Sequence, residues 1–537
     1  KTGIVMNIIN QPWLPFRFRD GEIKTLPISA ISHPDIIDFS LNRADFKGAA
    51  YQFAIGLLQT IFAPEDEDEW EEYFETPPSS KKLQSAFDKV AHAFNIMGDG
   101  PLFMQDFSTL EEQKNIPIAQ LLIDAPGENG IKQNTDHFIK QGIADVMSLE
   151  MAVLALFTLQ INAPSGGKGH LVSLRGGGPL TTLVYPAEEN STLWQKLWLN
   201  VINREFWEYD EPNFDDGSVF PWLIPLNLKE GKGEKVSPDD VHPLYMYWAM
   251  PRRIRLKVEN KSVTCQISDM KSNFSVKYYV TKNYGLDYQE GWLHPLTPYY
   301  WDPKKPEMFP NSIKGRQGGI HYNLWDRLFL SSNENGQKSA TVVSHYLKLY
   351  QLLEFTRKPR LLIFGYDMDN MKPRGWYNLE MPIFHVKDEY NNKIINEIKI
   401  IQKLTIDCLR SVKEQVKKAW FSSPKDMKGD ISFIDLTFWQ RSENIFFEVV
   451  QNIIVQIQKN DFLTHEQAKK WLNSIRKISI SIFDEYALSA LGTQKSVSGC
   501  IKARNGLIKD LYSNKRIKKF AEDFKITKEN GEQYGIL

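Results

Sequence analysis

Between Asp367 and Arg374 the chain reads D-M-D-N-M-K-P-R, with two carboxylates, an amide and two cations interleaved with Met368 and Met371, and Trp376 and Tyr377 closing the segment. The apolar run Leu361 to Phe364 precedes it and meets Gly365, which predicts a short buried strand that ends there and opens into a charged segment lying outside the core. Pro373 biases Lys372 away from helical geometry, so Asp369, Asn370, Met371 and Lys372 are expected to project from a turn. Such side chains have two uses. They can bond back to their own backbone as an Asx-rich loop. They can also form a wedge, in which an amide and a flexible apolar group prise a base step apart while adjacent cations touch the flanking phosphates.

A second stretch with chemical potential lies between Ala163 and Gly178, where six glycines interrupt the chain. It contains Gly166, Gly167, Lys168 and Gly169, which superficially suggest a phosphate-cradling loop. The Walker pattern fails, because Asn162 stands where its first glycine is needed and Gly169 where a magnesium-binding hydroxyl belongs. Glycines here would instead let the backbone approach another surface, presenting N–H groups to a phosphate or to a base edge in the minor groove. A plain flexible linker is the competing reading, and the mostly apolar run Leu171 to Leu174 argues against it by tethering the loop to a core.

Enzyme signatures are missing. The ten histidines show no HxxxH or HExxH spacing, there is no GxSxG elbow, and no carboxylates have the spacing of a two-metal nuclease. The three cysteines, Cys265, Cys408 and Cys500, are far apart and form neither a disulfide framework nor a cysteine zinc site. No catalytic residue, metal or cofactor is therefore expected.

The elements that must position these stretches follow from pattern. A chain of 537 residues exceeds one hydrophobic core, and 42% hydrophobic with 24% charged residues is ordinary for a globular protein. No apolar run approaches membrane-spanning length and Lys1 to Phe16 lacks a signal peptide's apolar segment, so a cytoplasmic protein without membrane contact is expected. The net charge of −1, from 65 basic and 66 acidic residues, excludes nucleic-acid binding over the whole surface; any such contact is local or shared with partners. Alternating residues from Met6 to Phe16 and the Asp20-Gly21 turn predict a hairpin-like opening, and Ala44 to Phe62 and Leu149 to Ile161 read as helices. The eight carboxylates from Glu65 to Glu75 read as a solvated helix face. Short alternating segments from Leu244 to Tyr300 suggest strands.

Beyond about Asp388 four helical segments can be drawn: Asn391 to Trp420, Ile434 to Lys459, Thr464 to Leu491 and Val497 to Phe520. The expected fold is α+β, a large mixed α/β domain of short strands and helices over residues 1–382 followed by a four-helix bundle over 383–537. The cluster Lys515, Arg516, Lys518 and Lys519 then falls at the end of the last helix, as a favourable C-terminus or a contact for a DNA strand.

Six segments in collinear order carry a resemblance: MNIINQPWLPF (6–16), PLFMQ (101–105), SGGKGHLVSLRGGGP (165–179), WLHPLTP (292–298), GYDMDNMKPRGWY (365–377) and FWQRSE (438–443). Together they resemble the large subunit of the type I-E CRISPR surveillance complex, Cascade. The resemblance implies a non-catalytic subunit that recognises the protospacer-adjacent motif in double-stranded DNA and starts R-loop formation. Its implied partners are the target duplex, the crRNA-containing backbone, small and 5′-handle-binding subunits, and a recruited helicase-nuclease that cleaves. Asn370 stands where relatives place a glutamine beneath the motif, with Met371 as a helper and Lys372 near the displaced strand. The glycine loop would read the duplex from the minor groove, although Lys168 occupies one of the family's glycine positions. Lys282, in KYYVTKNYG, matches a lysine that relatives extend toward the duplex, with Lys277 and Asn283 as competing assignments. Phe138 matches an aromatic that contacts DNA near the motif. The alternative, a scaffold subunit whose loops serve protein contacts only, stays open at this point.

Overall fold

The computed structural model describes residues 5–125, 144–228, 231–316, 318–350, 358–369, 372–421, 431–488 and 496–526. It is α+β, and the chain forms two compact units, Lys1–Gly315 with Ser339–Ile383, and Arg316–Lys338 with Phe384–Leu537.

The first unit is built around the helix Ala44–Ile61, which is buried on every side: Phe53 meets the rings of Trp13, Phe94, Phe103, Phe157 and Trp248 at 5.1 to 5.9 Å. Edge-to-face aromatic packing of this kind adds to area burial. The helix Leu149–Asn162 packs beside it, started by Ser148, whose hydroxyl accepts the Met151 N–H, and it too is apolar all round. Two sheets flank these helices. In one, the order is Thr181–Tyr185, Arg360–Asp369, Lys372–Pro382, all antiparallel, with Leu361 opposite Val184 and Met381. In the other, Arg253–Glu259 pairs with Ser275–Lys282, and Arg253 is opposite Lys282. The glycine stretch thus runs from the end of one core helix to the first strand of the hairpin sheet. Near the chain start a hairpin does form around Gly21, but its first strand is Leu14–Phe18, paired with Ile23–Leu26, and not the whole alternating run from Met6: Met6–Asn7 pairs with Asn95–Met97 and residues 8–13 form no strand. The carboxylate run forms the helix Glu67–Glu75, capped by Asp66, burying Trp70 and Phe74 and turning its acids outward.

The second unit is helical. Asn391–Trp420 buries Ile394, Ile398, Ile401, Val412 and Val416 and packs against Ser432–Gln458, His465–Phe483 and Val497–Ser513. Residues 316–338 belong here, which a single boundary at 382/383 does not allow for. The reason is aromatic: the Tyr322 ring lies 4.1 Å from that of Phe446 and 5.0 Å from that of Trp439, and its hydroxyl bonds Ser442 Oγ at 2.8 Å. The expected last helix is two. It breaks at Asn514, whose side chain accepts the Arg516 N–H and opens a new helix, Lys515–Asp523. The basic cluster therefore begins a helix and does not end one. Arg516 already pairs with Asp407 at 2.9 Å, and Lys518 with Glu522 at 3.6 Å.

Candidate nucleic-acid interface

The hairpin comes first. Its strands run in register from Arg360 opposite Pro382 to Asp369 opposite Lys372, with an irregularity between Asp367 and Met368. Asn370 and Met371, which come between Asp369 and Lys372 in sequence, lie outside the described residues. Two expectations need correction. The strand does not end at Gly365 but continues to Asp369, and the segment after it is not wholly outside the core, because Asp367 is only 1% exposed. A buried carboxylate is tolerated here because Arg374 grips it with both arms, Nε at 3.0 Å and Nη2 at 2.8 Å. Asp367 thus bonds across the strands and not to its own backbone. Lower down, the Tyr366 hydroxyl donates to Asp45, which Arg43 holds at 2.8 Å while also reaching Asp124 at 2.8 Å. The hairpin is thus pinned three residues below its tip, where Asp369 and Lys372 stand exposed. Arg374→Lys keeps the charge but loses the fork, so thermal denaturation should show a loss of about 1 kcal/mol. An unchanged melting curve would mean the pair does not hold the hairpin.

The glycine loop is closed by its own backbone, the Gly166 N–H donating to the His170 oxygen at 3.1 Å and the His170 N–H to the Gly167 oxygen at 3.3 Å. Gly169, with φ of +78°, accepts the Tyr284 N–H at 2.8 Å, and a Cβ on it would fall 2.6 Å from that of Asn283. That close approach seats the loop on the end of the strand that carries Lys282. At its other end, a Cβ on Gly178 would fall 2.6 Å from Met368 Cγ and 2.9 Å from the Tyr366 oxygen, so the stretch also lies against the hairpin. Ser165 to Lys168 are exposed.

Two arginines that sequence reasoning missed hold the loop from beneath. Arg252 donates to the Leu171 oxygen at 2.7 Å and to the Pro164 oxygen. Arg175, 5% exposed, donates to Thr181, Thr297, Gln52 and the Ile161 oxygen, all neutral acceptors. Burial lowers both guanidinium pKa values to about 10, so both remain charged at neutral pH and add positive potential under the loop. The sequence held one usable signal, since the turn expected over residues 369–372 sets Asp367 near Arg374. Nothing in it marks Arg175 or Arg252.

Lys282 is 47% exposed, its Nζ 3.5 Å from Glu112 Oε1. Of its competitors, Asn283 touches the glycine loop directly, whereas Lys277 lies five positions back along the strand, about 16 Å away, beside Glu259. The structure therefore brings Gly166 to Gly169 together with the Lys282–Asn283 strand end, and joins the same stretch to the hairpin of Asp369 and Lys372. Phe138 lies outside the described residues. Among the described residues no group of three or more His, Cys, Asp or Glu could hold a metal ion, and no helix is long and apolar enough to cross a membrane.

Comparison with known proteins gives concordant matches. The family model for the CRISPR-associated protein Cse1 matches residues 7–482. Among solved structures, CasA (Cse1) of Thermus thermophilus is 13% identical with a TM-score of 0.66, covering 96% of this chain and 99% of that one. Cse1 of Thermobifida fusca is 15% identical with a TM-score of 0.65, covering 97% and 98%. A chain described as a CRISPR RNA-guided surveillance complex is 15% identical with a TM-score of 0.64, covering 95% and 100%. At such identities the structural likeness speaks for the fold, and the family model speaks for descent: this chain belongs to the CRISPR-associated Cse1 family.

Proposed function

We propose that this chain is the non-catalytic large subunit of a crRNA-guided type I-E Cascade complex in the cytoplasm, and that it recognises the protospacer-adjacent motif in double-stranded DNA. The observation that carries the reading is the seating of the glycine loop on Asn283, beside Lys282, with the far end of the same stretch against the hairpin. In this reading the loop and Lys282 hold the motif duplex, and residues 369–372 open the first base step. Opening costs a few kcal/mol, which the motif contacts offset so that guide pairing can begin and read the sequence. The exposed, opened strands then become accessible to a recruited helicase-nuclease.

The test is a salt-dependent shift assay on the reconstituted complex with motif-bearing and motif-less duplex. Preference for the motif is expected, and equal affinity for both duplexes would leave the chain as a scaffold whose loops serve protein contacts. Lys168→Ala should weaken both duplexes alike and reduce the slope of log K against log salt by about one, because a phosphate contact carries no base information. A changed motif preference in that variant would assign Lys168 to base reading.

A further inference from the structure

Glu112 belongs to none of the segments that carry the resemblance, yet its position is built. The Gln105 side chain accepts the Leu256 N–H at 2.9 Å, the Asp106 N–H donates to the Ile254 oxygen at 2.9 Å, and the buried Asp106 carboxylate takes Arg253 Nε at 2.6 Å. The turn then closes through Ser108 N–H to Asp106 Oδ1 at 2.8 Å, a left-handed Leu110 with φ of +53°, and Gln113 N–H to the Leu110 oxygen at 3.1 Å. Because Arg253 is the register partner of Lys282, the anchor that fixes this turn also fixes it beside the strand end. Glu112 Oε1 consequently sits 3.5 Å from Lys282 Nζ and accepts the Gln113 side-chain amide at 3.0 Å. Its carboxyl is held below the usual range by its own backbone N–H first, then by Gln113 and Lys282, so it is charged at neutral pH.

We propose that Glu112 is an internal competitor for Lys282, a positioning residue that occupies the lysine in the free subunit and must be displaced by a backbone phosphate before Lys282 can hold DNA. The inference rests on the reading of Lys282 as a duplex contact. A lysine–phosphate bond carries no sequence information, and an uncontested one would lengthen residence on every duplex the complex meets. Both partners are about half exposed, so the competitor is a weak one and its removal is worth about two- to fivefold in affinity.

The experiment is a double-mutant cycle on the reconstituted complex, with motif-bearing and motif-less duplex at several salt concentrations. Glu112→Gln keeps the shape and can keep the Gln113 contact, and it should tighten both duplexes about two- to fivefold and slow dissociation from the motif-less one. In a Lys282→Met background the same change should give no gain. If Glu112→Gln gives no gain in the native background, or the full gain persists without Lys282, the competitor role is overturned while Lys282 keeps its own. If Lys282→Met alone leaves affinity and salt slope untouched, the reading of Lys282 as a duplex contact fails, and the competitor role fails with it.

Discussion

Gly169→Val is expected to lower the affinity of the assembled complex for motif-bearing duplex by roughly tenfold or more without impairing assembly. Two costs combine at this residue. Its φ of +78° is disfavoured for a side chain by about 1 to 2 kcal/mol, more for a β-branched one, and 1.4 kcal/mol is already a factor of ten. The new Cβ would also lie 2.6 Å from Asn283 Cβ, so either the loop or the strand end must move, and the bond from the Tyr284 N–H to the Gly169 oxygen is lost with either movement. Lys282 is displaced along with its neighbour. Gly167→Asn supplies the contrast: φ is +90° but nothing lies within 4 Å of the added Cβ, and asparagine tolerates positive φ better than most residues. Any binding loss in that variant reports on the approach of DNA and not on a clash inside the protein. Shift assays on both variants, with assembly checked by size exclusion, separate the cases, and native affinity in both would remove the loop from the interface.

The helices were legible in the sequence where local chemistry and periodicity agree. The segment read as Asn391 to Trp420 is the helix Asn391–Trp420, with Ile394, Ile398, Ile401, Val412 and Val416 buried along it, and Leu149 to Ile161 lies within Leu149–Asn162. The hairpin was half legible. An apolar run ending at Gly365 gives a strand, but Asp367 looks like loop until Arg374 is known to face it, because a buried carboxylate is affordable only with its partner in place. The break at Asn514 was hidden by the continuous helical character on either side of it; a cap residue inside a periodic segment is ambiguous from spacing alone. Strand register is the deeper limit. Nothing in KYYVTKNYG says which residue meets the glycine loop, and only the pairing of Arg253 with Lys282, with Asn283 under Gly169, places the strand end there. Arg175 was illegible for the same reason, since its acceptors come from four separate parts of the chain.

Acidification from pH 7 to pH 5 should destabilise the first unit through two buried histidines, His294 and His345, which are 4% and 0% exposed, His345 alone by about 2 kcal/mol. In His294, Nδ1 accepts the Leu296 N–H at 3.1 Å and the opposite nitrogen bonds the Met246 backbone, so a second proton would have to displace a backbone donor. Burial holds its pKa well below the ordinary value, and Arg175 pushes the same way. His345 Nε2 accepts the Asn203 N–H at 3.4 Å, and burial, with Lys348 assisting, lowers its pKa to about 3. The sign follows from proton counting. Below the unfolded value near 6.5 and above the lowered folded ones, the unfolded chain binds more protons, so stability rises with pH and is lost as pH falls, about 2 kcal/mol for His345 by pH 5. Asp326 in the second unit acts oppositely, since burial raises its pKa and acid relieves its buried charge, but that group lies in the other compact unit. Because whole-domain stabilities run to only about 5 to 15 kcal/mol, the effect should be plain in urea titrations at the two pH values. His345→Gln preserves an acceptor for Asn203 without a titrating group and should reduce the pH dependence by about 2 kcal/mol between pH 7 and pH 5. A native-like dependence in that variant, or none in the unaltered chain, would show that these rings do not control acid stability.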